Sequence, residues 1–160
     1  MSAGLRETMT DERTKENEYV TATVGGQLFG LPILRVQDVF VPERITRVPL
    51  SGPEIAGVLN LRGRIVTLLD LCRRLGLDPA GAGSSQPMAI GVELGGESYA
   101  LLVDNVGEVL KLDDNAREAN PINLDPRLAR VSTGIHRLDS QLLVIVDVDR
   151  VLDVASVAAA

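Results

Sequence analysis

The chain has 160 residues, enough for one ordinary domain or two very small ones, and 45% of them are apolar. Aromatic residues make up only 2%, so an aliphatic core is expected, and a formal net charge of −6 argues against nucleic-acid binding. Cys72 is the single cysteine, which excludes an intrachain disulfide and suits a reducing compartment. With neither a secretory signal nor an apolar run long enough to span a membrane, a cytoplasmic protein is expected.

The polar residues 1–17 predict a disordered tail, ordered structure is expected over residues 18–154, and residues 155–160 are expected to fray. Alternating or branched apolar runs between glycine turns predict short strands. These strands are expected at residues 19–24, 27–31, 58–61, 65–69, 88–94, 97–103, 106–112, 131–138 and 142–146.

Three segments have less definite patterns. Residues 34–41 could form a strand or a helix, and residues 45–48 could add another strand between Pro42 and Pro49. Residues 113–130 are polar and contain two prolines, which predicts an irregular excursion.

The hairpin predicted around Gly63 is the most informative stretch, because Gly63 can adopt the positive φ that a two-residue turn requires. Asp70 ends this hairpin and is placed to cap a short helix that stops at Gly76. Asp147 is placed to start a second short helix, expected to end near Val154. The residues expected to fix turns and caps are Gly57, Asn60, Gly63, Asp70 and Asp147.

The two halves of the sequence repeat one another. At an offset of 70 residues, 25–31 align with 95–101, and at an offset of 77 residues, 57–75 align with 134–152. The larger second offset places the extra residues within the irregular excursion. Short strands with closing turns favour two small intertwined barrels that share an apolar seam, with the repeat boundary near residues 76–87.

The sequence offers little reactive chemistry. It lacks a phosphate-binding glycine loop, and a single histidine and a single cysteine argue against a metal site built from these residues. His136 is expected to be a strand histidine and Cys72 a structural residue, since no nucleophile motif lies near either. Helix capping explains Asp70 and Asp147 better than a catalytic carboxylate pair does. The chain is therefore most simply a binding module, with no enzyme activity, cofactor or metal expected.

Five short motifs follow one another in a specific order over residues 18–154. They occupy residues 33–39, 45–49, 57–63, 103–106 and 143–147, and the third reads Gly-Val-Leu-Asn-Leu-Arg-Gly. In this combination the chain resembles the CheW family of bacterial chemotaxis adaptors. The resemblance implies an all-β fold of two five-stranded SH3-like barrels without catalytic activity. It also implies an adaptor that couples the histidine kinase CheA, through its homologous regulatory domain, to the cytoplasmic tips of chemoreceptors.

The resemblance further implies where the partners bind. A groove between the barrels is expected to take the receptor's helical hairpin tip, with Asp38 and Arg62 on a polar rim. Its apolar floor is expected to consist of Ile33, Val36, Val39, Met88, Val106 and Val109. Residues 116–128 are expected to contact the kinase, through Arg117, Glu118 and Ile122. The alternatives are that the valines belong to the core, that Arg62 only pairs with a nearby carboxylate, and that the excursion is a solvated loop.

Other functions are compatible with the same patterns. A CheW-like adaptor of a type IV pilus or another chemosensory array would share these motifs. A small-molecule-binding module that uses the inter-barrel cleft belongs to a different class. The protein is expected to be a monomer outside the signalling array, with an obligate homodimer as the alternative, and to be recruited to membrane-associated receptors without inserting into the membrane.

Overall fold

The computed structural model describes residues 17–49, 51–77 and 86–159. The N-terminal tail up to residue 16 and most of the repeat boundary expected near residues 76–87 therefore lie outside the described residues. The described part consists mainly of short strands, as the sequence predicted. The strands are β1 (Glu18–Val24), β2 (Gln27–Pro32), β3 (Asp38–Phe40), β4 (Ile55–Leu61), β5 (Arg64–Asp70), β6 (Met88–Leu94), β7 (Glu97–Val103), β8 (Asn105–Lys111), β9 (Ser132–Arg137) and β10 (Leu142–Val146). The helices are α1 (Leu71–Leu75), α2 (Pro126–Ala129) and α3 (Val148–Ala159).

The structure resolves the two ambiguous segments of the first sequence copy, residues 34–41 and 45–48. Residues 34–41 contribute to one 3-10 turn, Ile33–Arg35, and then to the strand β3. The turn directly follows Pro32, the last residue of β2. Instead of the strand expected at 45–48, Thr46 forms a single bridge, to Val58 of β4.

The second copy differs from expectation in two places. The excursion at 113–130 contains a 3-10 turn, Asp114–Ala116, and the helix α2, which is capped by the side chain of Asp125 and begins with a proline. The last helix continues to Ala159 rather than ending near Val154. Alanine has the highest intrinsic helix propensity, which accounts for this extension.

The strands form two five-stranded sheets in which the two sequence copies are exchanged. The first sheet has the order β8-β1-β2-β10-β9 and the second has the order β3-β6-β7-β5-β4. Each sheet therefore combines the first hairpin of one copy with the last three strands of the other. Among the described strands the copies meet along four pairs: β2 with β10 and β5 with β7 are parallel, and β1 with β8 and β3 with β6 are antiparallel. The barrels are intertwined, so neither barrel coincides with one copy of the repeat.

Each sheet curls towards a barrel, because the chain that leaves one edge strand pairs with the opposite edge strand. After β3, Thr46 exchanges two backbone hydrogen bonds with Val58 of β4, both with N–O distances of 2.8 Å. After β8, Glu118 pairs in the same way with Ile135 of β9, at 2.8 and 2.9 Å. A single bridge closes each sheet only in part, which gives two small SH3-like units of the type that the resemblance implied.

Apolar side chains fill the space between the two sheets and the interior of each barrel. The central cluster, which joins both sheets, includes the fully buried Phe29, Leu69, Leu101 and Val144. A smaller cluster in the second sheet is built around Leu59, Val66 and Leu68, and its counterpart in the first sheet around Tyr19, Leu143 and Ile145. We call the surface where the two sheets pack on this central cluster the seam.

Both predicted helix caps are present. Asp70 accepts a hydrogen bond from the backbone N–H of Arg73 at 3.2 Å, and Asp147 accepts one from Arg150 at 3.3 Å. Gly76 ends α1 in the left-handed conformation, with φ of 68°. Because the two aspartates perform the same structural task, their recurrence in the sequence needs no catalytic explanation.

Gly57 and Gly134 occupy equivalent bulges at which a side chain does not fit. Their φ angles are 149° and 152°, a region that other residues rarely adopt. A Cβ atom at Gly134 would lie 2.8 Å from the carbonyl oxygen of Glu118, and one at Gly57 would collide with the carbonyl oxygen of Thr46. Both oxygens belong to the bridges that close the sheets, so closure requires glycine at these positions.

Gly134→Ala should lower the free energy of unfolding by about 3 kcal/mol or more, because backbone strain and a steric clash act together. Gly96→Ala is the matched control: Gly96 also has a positive φ, of 80°, but nothing lies within 4 Å of the position of its Cβ. This control should cost only about 1–2 kcal/mol. Urea unfolding measures both changes, and equal losses would contradict the steric explanation.

His136 is the buried strand histidine that the sequence predicted. His136 is only 3% exposed, and its ring centroid lies 6.1 Å from that of Tyr19. The Nε2 atom of His136 has no hydrogen-bond partner among the described residues. Burial lowers the pKa of His136, and the positive charge of Arg117 lowers it further. Weaker opposing effects on this pKa come from Asp114, Asp113 and Glu118.

Wild-type stability should therefore fall as the pH drops below about 6.5, the pKa of an unfolded histidine. Below this pH the unfolded chain binds a proton that the folded protein resists, until the pH reaches the lowered folded-state pKa. Within this window each pH unit should cost up to about 1.4 kcal/mol. His136→Leu, which copies the equivalent Leu59, should remove this loss of free energy of unfolding. Its melting temperature should therefore fall less than that of the wild type between pH 7 and 5, as thermal unfolding can measure. Parallel pH profiles for the two proteins would contradict the prediction.

Candidate partner-binding surface

The two valines of the first copy that were expected on a groove floor face the seam. Val39 pairs across the strands with Ile90, a member of the central cluster, so their side chains lie on the same face of the sheet. Val36 packs against the same cluster. Val39 nevertheless remains 37% exposed, because β3 is an edge strand of its sheet.

The two valines of the second copy face the seam as well. Val106 pairs with Ala22 and Val109 with Val20, and the register shifts between these two pairs. This bulge keeps both valines on one face, although their separation along the strand would otherwise place them on opposite faces. Val109 is 48% exposed. The alternative that the valines are plain core therefore does not hold for Val39 and Val109. We call the proposed partner surface that includes Val36, Val39, Val106 and Val109 the seam groove.

The remaining two floor residues differ from each other. Met88 is half-buried and packs against the central cluster, so the structure brings it to the seam. Ile33 lies in the 3-10 turn, and it packs against none of the three clusters formed by the described residues. Ile33 therefore remains a predicted floor residue without a packing contact that supports it.

Asp38 and Arg62 contact each other directly. The Nη2 atom of Arg62 lies 3.0 Å from Oδ2 of Asp38, and the two side chains are 77% and 28% exposed. Asp38 points away from the valines, because it pairs with Gly91 one position before Val39 on β3. The ion pair therefore lies across the edge strand from the seam groove, within reach of a partner that wraps around this edge.

The backbone of Arg62 adopts a conformation that favours glycine or asparagine. Its φ is 53° and that of Gly63 is 83°, so both central residues of the hairpin turn have positive φ. The side-chain oxygen of Asn60 accepts a hydrogen bond from the Gly63 N–H at 2.9 Å, which secures the turn. A non-glycine residue with positive φ at an exposed turn suggests a role for the side chain itself.

Two pockets at the ends of the barrels are related by the repeat. The first mouth is a pocket of 290 Å³ whose lining includes Asp38, Phe40, Leu61 and Arg62. The second mouth is a pocket of 460 Å³ whose lining includes the equivalent residues Glu108, Leu110, Leu138 and Asp139. The two mouths share their backbone framework and apolar lining, but Asp139 reverses the charge of Arg62.

The three residues expected to contact the kinase differ in how available their side chains are to a partner. Glu118 bridges Ile135 through its backbone and forms an ion pair with Arg137, with Oε2 2.8 Å from Nε. Burial raises the pKa of the Tyr19 hydroxyl, and Arg117 opposes this rise through its positive charge and a hydrogen bond to Tyr19. Ile122, by contrast, is fully exposed.

Several exposed apolar residues were not singled out from the sequence as partner contacts. Ile65 is 65% exposed and Leu34 60%, and both lie on or beside elements that carry the predicted sites. The others are Val41, Ile45 and Val48. Only a contrast between repeat copies could have indicated them: Ile65, for example, is equivalent to Leu142, which packs against the central cluster.

The described ranges offer no grouping of three or more His, Cys, Asp or Glu side chains that could hold a metal ion. None of the helices in these ranges is long and apolar enough to cross a membrane.

Comparisons with known proteins agree with this architecture. The chain is 29% identical over 140 residues to a chemotaxis protein CheW of Klebsiella aerogenes, covering 87% of this chain and 83% of that protein. It is 27% identical over 141 residues to CheW of Thermotoga maritima, covering 87% and 89%. The crystal structure of the scaffolding protein TtCheW from Thermoanaerobacter tengcongensis matches with a TM-score of 0.73 and 31% identity, over 82% of this chain and 84% of that one.

The chain is also similar to part of a larger protein. It is 30% identical over 109 residues to the chemotaxis protein CheA of Salmonella typhimurium, which covers 65% of this chain but 16% of CheA. Finally, the family model of the CheW-like domain matches residues 18–156, most of the chain. The chain therefore belongs to the CheW-like family and is a chemotaxis scaffold protein of signal transduction, as its sequence motifs predicted.

Proposed function

We propose that this protein is a non-enzymatic cytoplasmic adaptor that couples the histidine kinase CheA to the cytoplasmic tips of chemoreceptors, and that it is a monomer outside the signalling array. The observation that carries the receptor part is that one valine of each edge strand, Val39 on β3 and Val109 on β8, lies on the seam side of its sheet and remains partly exposed. A helical hairpin buries apolar side chains at helical spacing and needs an apolar floor of this kind. Arg62, which is exposed and pairs with the half-buried Asp38 across the edge strand, supplies a charged rim that sets register.

The kinase part of the proposal rests on likeness of fold. A segment of CheA resembles this chain, so the kinase carries a domain with related barrels and edges. In this chain the excursion after β8 exposes Ile122 fully, while the backbone of Glu118 anchors the excursion to β9. A fully exposed isoleucine on an anchored loop is well suited to contact such a partner.

Arg62→Ala should weaken binding of a receptor-tip fragment by about thirtyfold, equivalent to about 2 kcal/mol, because a central arginine at an interface is a frequent hot spot. The folding free energy should change by less than about 0.5 kcal/mol, since the Arg62 side chain is 77% exposed. Isothermal titration calorimetry measures the first effect and urea unfolding the second.

Arg62→Gly is a matched variant, because glycine accepts the positive φ of this position without strain. It should be at least as stable as wild type and bind the receptor as poorly as Arg62→Ala. Both variants should keep their affinity for the regulatory domain of CheA. Wild-type receptor affinity in either variant would refute the role of Arg62.

Replacing Arg117, Glu118 and Ile122 together by alanine should weaken binding to the CheA regulatory domain by tenfold or more, about 1.4 kcal/mol. The melting temperature should change little, because the backbone bridge at Glu118 remains and a surface ion pair contributes about 0–1 kcal/mol. The single change Ile122→Ala should account for most of the lost affinity.

Arg137→Ala is the control for this set, since it removes the ion pair with Glu118 and leaves the proposed contact residues in place. It should keep wild-type kinase affinity. Unchanged affinity in the triple variant would show that the excursion is a solvated loop and that the kinase binds elsewhere.

A further inference from the structure

The two barrel mouths differ in how their carboxylates are compensated. In the first mouth, Asp38 is paired with Arg62 from the neighbouring hairpin. In the second mouth, Glu108 takes the place of Asp38, and Asp139 takes the place of Arg62. Within the described part of the chain, neither Glu108 nor Asp139 forms an ion pair.

The nearest candidate cation in the second mouth is already engaged. Arg137 lines this pocket, but its Nε atom lies 2.8 Å from Oε2 of Glu118 on the barrel-closing bridge. The second mouth thus presents two exposed carboxylates that form no ion pair within the described residues, whereas the equivalent carboxylate in the first mouth pairs with a guanidinium group. The first mouth therefore shows which chemical group a carboxylate at this position can hold.

The rest of the second mouth suits an arginine side chain. Its volume is 460 Å³, and Leu28, Leu110 and Leu138 line it together with the carboxylates. Leucine side chains accommodate the aliphatic stem of an arginine, while the planar guanidinium can donate to two carboxylates at once. A lysine would offer a single point charge and match this arrangement less well.

The position of Glu108 indicates which partner supplies the arginine. Glu108 lies on β8 between Val106 and Val109, the second-copy residues of the seam groove. The second mouth therefore lies across β8 from Val106 and Val109, as the first mouth lies across β3 from Val39. A segment in the seam groove that wraps around both edge strands would meet an acidic mouth at β8 and, at β3, a mouth that already holds Arg62.

We propose that the second mouth binds an arginine side chain of the receptor segment that occupies the seam groove, and so fixes the direction in which this segment lies. This inference rests on the proposed function, because it takes the receptor tip as the occupant of the groove. Glu108 and Asp139 are then specificity-determining residues. The arginine takes the place that Arg62 holds within the chain in the first mouth.

The test measures binding of a receptor-tip fragment to the full chain by calorimetry at low and moderate salt. Glu108→Gln and Asp139→Asn should each weaken binding by about tenfold and reduce its salt dependence, because a charge-assisted contact is lost. Asp153→Asn is the matched control, since Asp153 is exposed on α3 and lines neither mouth. This control should bind as wild type does. Equal melting temperatures would show that all four proteins fold alike.

A double-mutant cycle identifies the arginine. Each arginine of the receptor fragment is replaced by alanine, and one replacement should weaken binding to wild type by about tenfold but have no further effect on Asp139→Asn. If no receptor arginine shows this coupling, the proposal is wrong.

The outcomes separate this inference from the proposed function. If the wild-type chain fails to bind the receptor fragment, both are overturned. If Arg62→Ala loses receptor binding while Glu108→Gln and Asp139→Asn keep it, the adaptor function stands and the arginine site is wrong. If the two carboxylate variants lose affinity for the CheA regulatory domain instead of the receptor, the occupant is the kinase and the proposal is again overturned.

Discussion

Two parallel strand pairs, β2 with β10 and β5 with β7, determine the architecture of this protein. Each pair joins a strand of one sequence copy to a strand of the other, so each sheet requires both copies. Backbone groups at these junctions would be unpaired and buried if either copy were alone, which is energetically costly. The central apolar cluster has the same requirement, since Phe29 and Val144 come from one sheet and Leu69 and Leu101 from the other. The two barrels therefore form one inseparable unit.

The exchange of strands also produces the surface that we propose for partner binding. The crossovers from β2 to β3 and from β7 to β8 carry the chain from one sheet to the other, and each ends in an edge strand beside the seam. Val39 and Val109 stay partly exposed because no further strand covers these edges. The near-twofold arrangement provides two similar places for partners, and the contrast between Arg62 and Asp139 makes them chemically different. Because the backbone is nearly symmetric but the charges differ, the two ends of a bound segment would meet different chemical groups.

Much of this structure was predictable from local patterns. The hairpin turns, the caps at Asp70 and Asp147 and several strand boundaries follow from turn chemistry and alternation, which depend on neighbouring residues only. Intertwined barrels were expected, but which strands are exchanged was beyond such patterns, because the same alternation suits several assignments of strands to the two sheets. The bulge that turns Val106 and Val109 to one face depends on pairing with β1, and the Arg62–Asp38 contact depends on barrel curvature. These features are set by tertiary structure.

The pairing of the first strand with the eighth has a consequence for how the protein is made. Thr21 donates a hydrogen bond to the carbonyl oxygen of Glu108, 87 positions further along the chain. During synthesis the first hairpin leaves the ribosome long before its neighbours exist, with both of its edges open. Distant pairing slows folding, and open edges invite association with other chains. The first sheet does not have all of its strands until nearly the whole chain has emerged. The nascent protein therefore passes through a stage with open strand edges, which chaperones can protect from association with other chains.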